Sequence, residues 1–74
     1  MRRDERYFQV VIELTGFTRN FDCLEEACEY AEELARDIGA GIVVAEIHPR
    51  ASDAFERYQP IFLYEDGEVR CLRD

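Results

Sequence analysis

Between Asp22 and Gly39 lies a segment whose apolar residues keep a helical period. Leu24, Ala27, Cys28, Ala31, Leu34, Ala35 and Ile38 recur at the i, i+3, i+4, i+7 spacing and form one stripe. A helix with one apolar face must bury that face against another layer. In 74 residues there is room for one helix and one layer of sheet, which excludes a two-domain enzyme. Asp22 and Glu25 have the spacing of a capping box, with Asp in place of Ser or Thr, so the helix is expected over about residues 22–38. Gly39 is placed to end it, because the residue after a helix often takes a left-handed conformation.

The partner layer reads as sheet. From Arg6 to Leu14 the pattern alternates, with Phe8, Val10, Ile12 and Leu14 on one face and Tyr7, Gln9, Val11 and Glu13 on the other. Gly16 interrupts it, and residues 17–21 are either a second short strand after a bulge or the approach to the helix. Ile42 to Ile47 is a β-branched run ended by Pro49 and apolar on both faces, as a central strand under a helix would be. Residues 52–57 fit a single helical turn capped by Ser52. Ile61 to Glu65 and Glu68 to Leu72 flank Asp66-Gly67, a strong signal for a tight hairpin. The expected fold is α+β: a single compact domain over residues 1–74, with one helix on a four- or five-stranded, mainly antiparallel sheet in the order β-α-β-β-β. Were the strands flanking the helix parallel, their crossover would be right-handed.

Charge limits function more sharply than pattern does. Asp plus Glu number 17 against 9 Lys plus Arg, a formal net charge of −8. This opposes direct binding to nucleic acid or to an anionic membrane, both of which need clustered cations. No stretch approaches the roughly 20 apolar residues of a membrane span, and the start, Met1 to Arg6, lacks the apolar run of a signal peptide. Cys23, Cys28 and Cys71 are odd in number and irregularly spaced, which argues against a secreted disulfide framework. A soluble protein of the reducing cytoplasm is expected, as a monomer or weak homodimer.

Chemistry-bearing motifs are sparse. Cys23 and Cys28, five apart, diverge by roughly 140° on a helix and cannot share a metal there. Cys28 and Cys71 read as small core residues, Cys71 facing the same way as Phe62, Tyr64 and Val69. His48 reads as a solvated loop residue, and a small enzyme would have to rest on it alone. The glycines are isolated, so no phosphate-cradling loop is visible. No catalytic residue, cofactor or metal is expected.

The helix is different. Over residues 22–37 the seven acids Asp22, Glu25, Glu26, Glu29, Glu32, Glu33 and Asp37 face a single base, Arg36, so this segment carries −6 of the −8. Glu25 with Glu29, Glu26 with Glu29, Glu29 with Glu33 and Glu33 with Asp37 are like-charged neighbours, each costing about 0.2–0.5 kcal/mol, and Glu32 with Arg36 offsets only one of them. A plain solvated face accounts for the acids of the first turn, which suit the helix dipole, but not for Glu32, Glu33 and Asp37 toward its negative end. From Glu25 to Asp37 the helix rises about 18 Å, and its six carboxylates over that length approach the phosphate spacing of about 3.4 Å along one DNA strand. Glu65, Asp66 and Glu68 at the hairpin form a second acidic cluster.

In size, charge and layout the whole chain resembles the small inhibitors that bacteriophages make against host nucleic-acid-handling machinery, anti-CRISPR proteins in particular. Glu25, Glu26, Glu29, Glu32, Glu33 and Asp37 carry the resemblance, with Glu65, Asp66 and Glu68 in support. Arg36 and the basic start, Arg2, Arg3 and Arg6, depart from a uniformly negative surface. The resemblance implies a cytoplasmic, non-enzymatic DNA mimic that occupies the DNA-binding or PAM-reading surface of a CRISPR effector, with aromatic residues such as Tyr30 contributing at the rim. The alternative is a bacterial regulatory or adaptor domain whose sheet is the working surface, sensitive at Tyr7, Val11 or Val43, with the acidic helix only a solvated face.

Overall fold

The computed structural model describes residues 6–39, 41–65 and 67–73. The first strand, β1 (Tyr7–Ile12), pairs antiparallel with β2 (Thr18–Phe21), Val10 standing opposite Arg19. Residues 17–21 thus supply the fifth strand. The chain turns after Ile12, whose carbonyl accepts from Gly16 N–H at 2.7 Å, and Gly16 takes a φ of +79° that a side chain would resist. Leu14, expected on the apolar face of the strand, falls in this turn and is exposed.

Helix α1 spans Leu24–Ile38. The expected Asp22 cap is not formed. Phe21 is still paired with Phe8 as the last residue of β2, the chain bends at Asp22, and Cys23, itself extended, becomes the N-cap and makes no side-chain capping bond. The other end follows expectation: Gly39 has φ +74° and its N–H donates to the Ala35 carbonyl.

The next strand, β3 (Ile42–Ile47), lies at the centre of the sheet and is buried along its whole length. A single turn, α2 (Ala54–Arg57), leads into β4 (Tyr58–Glu65), which pairs with β5 (Glu68–Cys71). The α2 cap is Asp53 in place of the expected Ser52, its carboxylate accepting from Phe55 N–H at 3.0 Å. β4 starts three residues before Ile61 because a bulge absorbs Pro60: Val44 pairs with Phe62 but Ala45 with Pro60, so Ile61 is the extra residue. Glu65 opposite Glu68 leaves a two-residue connection at Asp66-Gly67, with Gly67 at φ +77°. Asp66 itself lies outside the described residues.

The sheet order is β2-β1-β3-β4-β5 with every pairing antiparallel; β2 and β3, both antiparallel to the β1 between them, run parallel to each other, so α1 is the crossover that joins two parallel strands over β1. α1 covers one face. Val10, Ile12, Ile42 and Val44 meet Ala27, Ala31 and Ala35, a row of small residues that lets the helix lie close on the strands. Phe8, Phe21, Leu34, Phe62 and Tyr64 close the sides of this core. Two residues expected there are not: Ile38 is exposed at the last turn, and Cys71 is exposed because β5 is an edge strand beyond the helix. The opposite face carries the cross-strand sets Tyr7 with Ile47, Gln9 with Ala45, and Val11 with Val43 and Leu63.

Candidate functional site

Every acid of the helical segment is exposed. At about 100° per residue, Glu32, Glu25, Glu29, Glu33, Glu26 and Asp37 fall within roughly 140° of arc, and the buried alanines occupy the opposite side. The arc is set by the core: once Ala27, Ala31 and Ala35 define the inward face, the carboxylates have only the outward one. Arg36 lies inside the arc and pairs with Glu32 at 3.2 Å, both side chains well exposed, so the pair is weak and screened by salt.

The structure divides the two acidic clusters. Residues alternate across β4, so Tyr64 lies on the helix side and Glu65 on the far side. Glu65 lies with Leu63 and Arg70 along a shallow depression on that far side and does not extend the helix arc. Glu68, directly opposite Glu65 on the edge strand, lies on the same far side and lines the same depression. The surface that the structure assembles is thus the helix arc alone, with Glu65 and Glu68 together on the other side of the sheet.

Tyr30, expected as a free aromatic at the rim, is already engaged. Its ring lies 5.3 Å from that of Phe21, and the Arg19 guanidinium sits over both, 5.0 Å from Tyr30 and 5.5 Å from Phe21. This places a cation of β2 beside the arc and anchors the first half of α1 to the edge of the sheet.

A feature with little trace in the sequence lies at the end of β3. Glu46 is buried, yet its carboxylate accepts from Arg6 at one oxygen (2.9 Å) and from Arg73 at the other, while His48 Nε2 is 3.4 Å from the first oxygen. Arg73 also donates to Gln59 at 3.1 Å. Burial pushes the Glu46 carboxyl up, but the hydrogen bonds from Arg73 and Arg6 and the charges of Arg73 and His48 outweigh it and hold the group below the usual carboxylate range. His48, expected to be simply solvated, is half-buried in this cluster. The signal available in advance was a lone carboxylate inside a β-branched run, which a buried strand tolerates only with partners. Nothing in the spacing pointed to Arg6 and Arg73, which precede β1 and follow β5.

Acids thus cover the outer face of α1, with Arg36 among them and Arg19 beside them, while Arg6, Arg73 and His48 gather around Glu46 on β3. Tyr7 and Val11, which the adaptor alternative would use, are half-buried on the helix-free face, and Val43 is buried between them and Leu63. Among the described residues, no helix is long and apolar enough to cross a membrane. Comparison with protein-family models, with curated proteins and with solved structures gave no match.

Proposed function

We propose that this chain is a non-enzymatic acidic inhibitor that occupies a basic nucleic-acid-binding surface of another protein, acting as a phage anti-CRISPR protein that mimics DNA and blocks target-DNA or PAM binding by a CRISPR effector in the host cytoplasm. One observation carries the reading: six carboxylates, Glu25, Glu26, Glu29, Glu32, Glu33 and Asp37, stand exposed on a single arc of one rigid helix. Lys and Arg side chains that hold phosphates bind carboxylates by the same charge-assisted hydrogen bonds. A helix pinned to a sheet presents those carboxylates without the ordering cost that a flexible acidic tail would bear. The tolerated repulsion between like-charged neighbours is further support, since a helix shaped for stability alone would mix signs.

The test is a mobility-shift assay with purified guide-loaded effectors and their target duplex, with and without the protein. The expected result is loss of the DNA complex with wild type and its return with a variant carrying Gln at positions 25, 26, 29, 32 and 33. Equal inhibition by the two proteins would contradict the proposal, as would DNA binding by every effector unaffected by either.

A further inference from the structure

We propose that β5 is the contact between two copies of this chain: it pairs antiparallel with β5 of a second copy about a two-fold axis at Val69, joining two five-stranded sheets edge to edge. The inference goes beyond the inhibitor reading and does not depend on it. All four residues of β5 are exposed, α1 packs on β1 to β4, and no proline or bulge interrupts the pairing of β5 with β4. Such an edge is a template for another strand. Its free main-chain groups follow from the pairing on the inner side. Leu72 N–H donates to the Ile61 carbonyl at 2.7 Å, and Glu65 opposite Glu68 closes the hairpin. Main-chain groups alternate along an antiparallel strand, so those of Glu68, Arg70 and Leu72 turn toward β4 and those of Val69 and Cys71 turn outward. Two Val69 residues placed opposite each other exchange both N–H···O=C bonds across the axis.

Charge selects this register. Glu68 and Arg70 lie on the face away from the helix, and neither makes an ion pair with any described residue. Glu68 instead stands opposite Glu65, a like-charged pair that weakens the hairpin. Pairing about Val69 sets Glu68 of each copy opposite Arg70 of the other, on the same face, and the two-fold axis repeats the contact. The neighbouring registers are centred on Glu68, Arg70 or Cys71. The first sets Glu68 against Glu68 and the second Arg70 against Arg70. The third sets Arg70 against Leu72 and gives neither charge an opposite one. The other edge has no equivalent: the one charged residue of β2 is Arg19, already stacked on Phe21 and Tyr30. A contact of one short strand falls at the small end of specific interfaces, so the dimer is weak.

Sedimentation velocity from about 10 µM to about 1 mM tests the dimer, with circular dichroism to establish that each variant is folded. Wild type should pass from monomer to dimer across the series. Glu68→Arg sets Arg against Arg70 and Arg70→Glu sets Glu against Glu68, so each variant alone should dimerise at least about tenfold more weakly than wild type. Mixed in equal amounts, the two should form a heterodimer, because both contacts are again opposite in sign. Val69→Pro removes an outward N–H, leaves the ladder with β4 intact and should abolish the dimer. Wild type that stays monomeric throughout would overturn the proposal, as would a dimer that survives Val69→Pro or a mixture of the charge variants no tighter than its parts. The five-Gln variant of the helix leaves β5 untouched and should dimerise at least as tightly as wild type, so the dimer and the inhibitor reading fail separately.

Discussion

The guanidinium of Arg6 and the carboxylate of Glu46 lie 40 positions apart in the chain and 2.9 Å apart in the fold. With Arg73 on the other carboxylate oxygen, the residue ties the segment before β1 and the segment after β5 to the central strand. Glu46→Gln keeps the shape but removes the charge that two guanidiniums face. Because both arginines are nearly half exposed, the expected loss is about 2 kcal/mol, less than for a fully buried pair, measured by urea unfolding at neutral pH.

The same contact fixes the sign of the acid response. The Glu46 carboxyl titrates lower in the folded protein than in the unfolded chain, so its contribution is complete above the unfolded value of about 4.3 and is lost as pH falls through the folded one. Unfolding free energy of wild type should therefore drop below about pH 4, and Glu46→Gln should remove that part of the acid limb. Parallel limbs for the two proteins would show that Glu46 is not the group responsible.

Ala31 is fully buried between helix and sheet. Ala31→Leu adds volume where the Ala27, Ala31, Ala35 row lets the helix approach Val10 and Val44, and should cost about 1–3 kcal/mol, read by thermal or urea unfolding. Gly39→Ala, at φ +74° with open space around its Cα, should cost about 1 kcal/mol through backbone strain alone.

Neutralising the helix arc should act in the opposite direction on stability. Replacing Glu25, Glu26, Glu29, Glu32 and Glu33 by Gln relieves like-charged pairs each worth about 0.2–0.5 kcal/mol, so the variant should melt at the same temperature as wild type or higher. A fall of several degrees would mean that these carboxylates hold the fold together and are not spare for a partner.

Much of the architecture was legible because it depends on local pattern. The helix stripe, the β-branched central strand and the Asp66-Gly67 turn each carry their own signal, and each element lies where that signal put it. What escaped depends on contacts between distant residues. The pairing of Phe21 with Phe8 moved the helix start past Asp22, and the bulge at Pro60 let β4 begin at Tyr58. Cys71 fell outside the core because the lateral order of strands, unreadable from periodicity, made β5 an edge. At the site, helical phase gave the carboxylate arc in advance. The placing of Glu65 and Glu68 on the face away from the helix, the engagement of Tyr30 by Arg19 and the assembly of Arg6, His48 and Arg73 around Glu46 all required the sheet order.

The most direct measurement is capture of partners from nuclease-treated host lysate by immobilised wild type and by the five-Gln variant, over a salt series and with duplex DNA or RNA added as competitor. The predicted result is a nucleic-acid-binding protein held by wild type alone, released steeply as salt rises and displaced by the competitor. Equal capture by both proteins, insensitive to salt and to added nucleic acid, would contradict the account and shift the working surface to the helix-free face of the sheet.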